Sequence, residues 1–279
     1  MKIAAIADLH LAFAANKPMD VFGENWKDHH KKIKESWIDA IGEDDIVIIA
    51  GDVSWGLKEN EISQDFQWIH ELPGKKLIFK GNHDLWWTTP SKMNKRFEDI
   101  LFMHNTFYPA GKTAICGTRG WTLPTQNSEW TEHDEKIYRR EQGRLRLSLQ
   151  AARSNGFEDI ICAMHYPPVE KNCKPNKFTE ILEEFGVSLC IYGHLHGKVA
   201  HQSAFEGMFG GVRYMLLSAD YVDFKPVILR EDVCDDACDG AGDDCDDAGD
   251  ARNGAGDDCD GAGDALNVAG DVCDGAGEP

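Results

Sequence analysis

The sequence predicts an α/β fold over residues 1–230. Three observations carry that reading: short, continuous apolar runs; helically spaced apolar residues between them; and a sharp change of composition near residue 231. Continuous apolar strands alternating with helices belong to a sheet covered on both faces. In chain order, 3–7 is the first apolar run. Residues 28–41 place Ile33, Trp37, Ile38 and Ile41 at helical spacing. Residues 45–50 form an apolar strand, and Ile62, Phe66, Ile69 and Leu72 again space as a helix. A third strand follows at 77–79. A long charged helix over 132–153 carries Ile137, Leu145, Leu147 and Leu149. Residues 160–164 and 187–192 are two further buried strands, and runs at 214–217 and 226–229 complete the domain.

Charge divides the chain of 279 residues, with its formal net charge of -19, in two. Residues 231–279 hold 17 acidic residues and one basic residue, Arg252, so that segment carries -16 and the remainder only -3. All 27 aromatic residues lie before it. A segment without large apolar side chains cannot offset its ordering entropy by burial. The expectation is therefore one globular domain, 1–230, and a disordered acidic tail, 231–279. The tail repeats Ala-Gly-Asp every seven residues from Ala241. Gly and Asp fill the positions where a coiled coil needs apolar side chains, so the heptad is not a supercoil seam.

Several classes fall away. No apolar run approaches the ~18 residues of a membrane span. A near-neutral domain with an acidic tail argues against nucleic acid as a partner. Asp8 and His10 interrupt the N-terminal apolar run, which reads as a strand rather than a secretory leader. No Cys-x-x-Cys occurs, and Cys162 and Cys190 sit in strand-like runs. Reduced thiols in a cytoplasmic protein are expected.

The chemistry lies where the strands end. The first run leads into Asp8-Leu9-His10, the second into Gly51-Asp52, and the third into Gly81-Asn82-His83-Asp84. The fourth leads into His165, and the fifth into Gly193-His194-Leu195-His196. In open α/β sheets, ligands bind outside the carboxyl ends of strands. Imidazole, carboxylate and amide oxygens suit Zn, Mn, Fe or Ni better than Cu(I) or Ca. Alternate residues of an extended segment point the same way, so Asp8 and His10 can share one ion. The same holds for His194 and His196 if that pair stays extended. Singly, each residue has a plainer reading: a satisfied loop histidine, a turn aspartate, a capping asparagine. Accident would have to bring five strand ends together.

This ordered pattern, Asp-x-His, Gly-Asp, Gly-Asn-His-Asp, His, Gly-His-x-His, resembles the calcineurin-like metallophosphoesterase superfamily over positions 8–196. The resemblance implies a two-sheet α/β/β/α sandwich and two divalent metal ions (Mn, Fe or Zn). One would be held by Asp8, His10, Asp52 and His196. The other would be held by Asp52, Asn82, His165 and His194, with Asp52 bridging. The resemblance implies that His83 is not a ligand but stands near the leaving-group oxygen as a proton donor or charge stabiliser, and Asp84 would orient it. The implied reaction is hydrolysis of a small-molecule phosphomonoester or phosphodiester by a hydroxide between the two ions. The alternative is a non-catalytic, metal-bound scaffold or docking module of the same fold.

The remaining residues carry weaker signals. His29, His30 and His70 read as solvated helix residues. His104 and His201 have no partner visible in sequence, and His133 is a candidate for lining the site. Trp55, Trp86, Trp87 and Trp121 read first as packing beneath loops and second as a wall of the crevice. Arg119 is the basic residue suited to reach a substrate phosphate.

Overall fold

The computed structural model describes residues 1–15, 17–126 and 129–231. The acidic repeat expected to be disordered lies outside them, apart from Glu231. Along the chain run β1 (Lys2–Ile6), α1 (His29–Ala40), β2 (Ile46–Ala50), α2 (Glu59–His70), β3 (Lys75–Phe79) and α3 (Pro90–Met93). There follow β4 (Ile100–Phe102), β5 (Tyr108–Ala110), β6 (Thr113–Thr118), α4 (Glu132–Ser154), β7 (Asp159–Met164) and α5 (Lys177–Glu184). The last are β8 (Leu189–Tyr192), α6 (Gly197–Ser203), β9 (Gly207–Phe209), β10 (Val212–Leu216) and β11 (Val227–Glu231).

The strands form two mixed sheets, ordered β11-β1-β2-β3-β4 and β5-β6-β7-β8-β10-β9. The inner strands of both are parallel, and β11, β5 and β9 add antiparallel edges. Side-chain alternation then sorts each strand into two layers. Ile3, Ala5, Ile46, Ile48 and Leu77 face Ile115, Ile161, Leu189 and Ile191 between the sheets. Ala4, Ile6, Val47 and Ile49 face the opposite way, onto Ile33 and Trp37 of α1 and Phe66 and Ile69 of α2. On the far side, Cys116, Cys162 and Cys190 pack with Leu145 and Leu149 of α4 and Phe178 of α5. This is the α/β/β/α sandwich that the resemblance implied. Each fully buried Ile or Leu in these layers contributes about 1.5–3 kcal/mol.

The helices begin where local chemistry starts them. Thr131 and Asp134 form a capping box at α4, and Asn176 and Thr179 form one at α5. Four strands, β4, β5, β6 and β9, were not legible in the sequence. The β6 segment Thr-Ala-Ile-Cys-Gly-Thr lacks an apolar run, yet all its residues are buried between β5 and β7. Ile38 and Leu147, counted among the apolar helix positions, are exposed.

At one end the two sheets are stitched together. The Ala7 N–H donates to Leu217 O at 2.8 Å, and the Ala219 N–H donates to Ala7 O at 3.0 Å. The C-terminal ends of β1 and β10 therefore lie side by side, and the motif residues follow from that rim. Among the described residues, no helix is long and apolar enough to cross a membrane.

Candidate metal centre

The loops after β1, β2, β3, β7 and β8 bring Asp8, His10, Asp52, Asn82, His165, His194 and His196 together. Asp8 Oδ1 lies 3.4 Å from His196 Nε2 and 3.7 Å from His165 Nδ1. The Nε2 atoms of His10 and His196 are 3.2 Å apart. Asp52 Oδ2 stands between the two halves of the cluster, 3.9 Å from His10 Nε2 and 3.3 Å from His165 Nε2. Asn82 Oδ1 is 2.6 Å from His165 Nε2 and 3.0 Å from His194 Nδ1. Among the described residues, two groups have donor atoms within 4.8 Å of one another: Asp8, His10 and His196; and Asp8, Asp52 and His165. Asp8 is common to both.

Extended alternation is not what joins these side chains. Asp8, His10, Asp52 and His194 all have positive φ, at 61°, 46°, 52° and 74°. Such backbone costs of order 1–3 kcal/mol per residue when it is strained, and it persists only where the surroundings enforce it. Here the Asp8 N–H donates to Gly51 O and the His10 N–H to Asp52 O, each at 2.9 Å. The kink at His194 also separates the last pair: its ring meets Asn82, while His196 turns to His10 and Asp8.

Close backbone approach explains two glycines. A Cβ on Gly81 would lie 2.0 Å from Asp52 Oδ1, and one on Gly193 would lie 2.4 Å from Asp8 Oδ2. The space is filled by hydrogen bonds instead. The His83 N–H donates to Asp52 Oδ1 at 2.8 Å, and the His194 N–H donates to Asp8 Oδ2 at 2.9 Å.

The electrostatics are those of a cluster short of positive charge. Asp8 and Asp52 are fully buried, and their only ion-pair partners among the described residues are histidines. Burial would raise the Asp8 carboxyl, but His196 and His165 bring it down to about 2. Burial would also raise Asp52, and His165 and His10 hold it below the usual carboxylate range. The compensation appears on the imidazoles. Burial works to lower His165 and His196, yet Asp52 raises the first to about 9 and Asp8 the second to about 10. His10 and His194 have less compensation, and burial pulls both down to about 3. Without a cation, the buried carboxylates thus favour protons on the imidazoles beside them. Asp8 Oδ1 remains buried with no hydrogen-bond partner. An orphaned carboxylate oxygen, four imidazoles and an amide oxygen within one cluster fit divalent cations, which would displace those protons.

The neighbouring residues divide sharply. Nδ1 of His165 faces Ala50 O at 3.1 Å, so a proton there leaves Nε2 free to ligate. His196 Nδ1 faces Asp220 Oδ1 at 2.9 Å, and Asp220 Oδ2 accepts from the Gly197 N–H at 2.8 Å. Asp220 was missed in sequence, because it follows β10 in Ser-Ala-Asp with no motif around it. His201, without a visible partner in sequence, lies 3.3 Å from Asp220 Oδ2.

Asp84 departs from its expected role. Its carboxylate accepts the backbone N–H groups of Gly81, Asp52 and Val53 at 2.7, 2.9 and 2.9 Å. It ties the β2 and β3 loops together rather than binding the His83 ring. Burial and the Asp52 charge raise its carboxyl to about 6. The His83 ring instead lies against Trp55, with centroids 4.3 Å apart, and Trp55 also stacks on His10 at 4.9 Å. Trp55 is therefore a wall of the site, whereas Trp86 is buried in the core. His29 is not solvated: its ring is buried and reaches Trp26 O and Leu9 O. His70 pairs with Asp99, and His133 is exposed at the start of α4.

The chain is similar to several known proteins. The chain is 30% identical over 193 residues to the Gene 66 protein of Mycobacterium phage L5, covering 69% of this chain and 76% of that protein. It is 33% identical over 195 residues to the Gene 66 protein of Mycobacterium phage D29, covering 69% and 77%. Among solved structures, TT1561 of Thermus thermophilus aligns with a TM-score of 0.51 at 14% identity, covering 77% of this chain and 88% of that one. The family model described as calcineurin-like phosphoesterase matches residues 1–198, a span holding every clustered motif residue. On that match and on the two-sheet fold, this chain belongs to the calcineurin-like phosphoesterase family.

Proposed function

We propose that the chain hydrolyses a phosphate ester, mono- or diester, with two divalent cations at this cluster. Asp8, His10, Asp52 and His196 would hold one, and Asp52, Asn82, His165 and His194 the other. The observation that carries the reading is Asp52 Oδ2, buried between His10 Nε2 at 3.9 Å and His165 Nε2 at 3.3 Å. A carboxylate in that position can serve two ions. When bound, such a pair supplies a water ionised near neutral pH and draws charge from the phosphoryl oxygens. The chain does the rest. Asp220 and Ala50 O would hold the Nδ1 protons of His196 and His165, so that both rings could present Nε2 to a cation. Asp84 locks the two ligand loops through their amides. His83, fixed by its own N–H on Asp52 and by Trp55, would give a proton to the departing alkoxide.

The test is metal analysis of the full chain alongside turnover of p-nitrophenyl phosphate and bis-p-nitrophenyl phosphate with added Mn. Turnover of at least one is expected. Two ions bound at full occupancy with neither ester cleaved would favour the scaffold reading instead.

A further inference from the structure

A basic pocket of about 250 Å³ opens where β3, β4 and β6 end, lined by Lys80, Trp87, Thr118, Arg119, Glu141 and Arg144 among others. Its charges do not balance. The buried Glu141 carboxylate accepts from Thr118 Oγ1 at 2.6 Å and from Arg144 Nη1 at 2.7 Å. Two cations remain. The Lys80 side chain lines the pocket and makes no hydrogen bond or ion pair among the described residues. Arg119 approaches Glu141 only to 3.9 Å, and its Nε is buried with no hydrogen-bond partner. The Arg119 guanidinium is held by Trp121, its carbon 4.8 Å from the ring centroid.

A cluster serving the fold alone would pair its charges, because a desolvated, unpaired cation costs several kcal/mol. Nor is the excess a sample of a basic surface, since residues 1–230 carry a net charge of -3. Ammonium and guanidinium residues lining one small cavity suit phosphate. The cavity is below the ~300–1,000 Å³ of sites that enclose a whole ligand, so it fits a group on a larger molecule. It also adjoins the candidate metal centre. Lys80 is two residues from Asn82, a backbone span of at most ~7 Å. The Arg119 carbonyl accepts the N–H groups of His165 and Tyr166 at 3.1 and 3.0 Å.

We infer that this pocket is an anion subsite that takes a second phosphate group on the substrate cleaved at the candidate metal centre. The inference rests on the hydrolase reading above, and its test separates the two. The metal-free full chain is titrated with inorganic phosphate by calorimetry, as are Lys80→Gln and Arg144→Gln. Lys80→Gln disturbs no internal pair, so it reads the pocket even if Arg144→Gln loosens Glu141. Binding is expected, at least 10-fold weaker in the variants. With Mn added, kcat/KM is compared for a bisphosphorylated and a monophosphorylated ester of one alcohol. The ratio favours the bisphosphate in the parent and falls at least 10-fold in Lys80→Gln. Phosphate affinity equal in parent and variants overturns the subsite. Weakened affinity with an unchanged ratio overturns the substrate assignment and makes free phosphate the occupant. Absence of all turnover sinks the hydrolase reading, while the calorimetry still decides whether the pocket binds phosphate.

Discussion

Asp220 Oδ1 sits 2.9 Å from Nδ1 of His196, and the two side chains come from different strand ends of the second sheet. With a proton on the Nδ1 that faces Asp220, the Nε2 that faces Asp8 would be free to ligate a cation. Carboxylates behind ligating imidazoles typically account for 10–100-fold in metal affinity. Asp220→Asn is therefore expected to weaken Mn binding by about that factor. Competition against a chelating dye measures it. Unaltered affinity would mean that the contact serves α6 alone, through the Gly197 N–H.

His83 touches Asp52 through its backbone and Trp55 through its ring. His83→Ala leaves that backbone donor in place, so metal content should stay at the parent value. Turnover of an ester with a poor leaving group should drop about 10²–10⁴-fold, the usual contribution of a positioned acid. The drop should be smaller for p-nitrophenolate, which leaves without a proton. Equal losses on both esters would remove the proton-donor role.

Gly81→Ala tests the close approach of the β3 loop to Asp52. The added methyl would meet Asp52 Oδ1 at 2.0 Å and the backbone Asp52 N at 2.2 Å, and that Oδ1 is buried and held by the His83 N–H. Forced backbone shifts of this kind cost about 1–3 kcal/mol. Urea unfolding should show at least that loss, together with reduced metal content. A variant as stable as the parent would mean the loop is freer than its hydrogen bonds imply.

At the opposite end of the first sheet, Lys76 is buried and its Nζ lies 2.6 Å from Asp99 Oδ2. The two partners shift unequally. Burial works to raise Asp99, but Lys76 and His70 lower it, whereas burial of Lys76 outweighs the pull of Asp99 and lowers the ammonium too. Because the folded carboxyl titrates below its unfolded value, its stabilisation is present above the unfolded pKa of ~3.9 and is lost as pH falls through the folded one. Asp99→Asn should cost about 1–3 kcal/mol at pH 7. The gap to the parent should narrow as pH falls below the unfolded carboxyl value. A gap that is constant with pH would assign the effect to packing.

Much of this was readable from residue order. Apolar runs at 45–50 and 160–164 announced β2 and β7, because a strand buried on both faces has no polar position to show. The motif residues were legible for a related reason: buried carboxylates and imidazoles at strand ends have few uses besides holding charge. β6 was not, since its small residues become core only when α4 and β7 close over it. Asp84 misled because its neighbour in sequence is His83, while its partners in space are the amides of Gly81, Asp52 and Val53.

Local sequence thus determined the class of fold, the set of candidate ligands and the charge contrast between 1–230 and 231–279, all of which depend on residue type and short spacing. Tertiary structure alone decided that Asp220 stands behind His196, that Trp55 covers His83 and His10, and that Lys80, Arg119 and Arg144 share one pocket. Those relations join segments tens of residues apart in sequence, and only the folded backbone brings their side chains together.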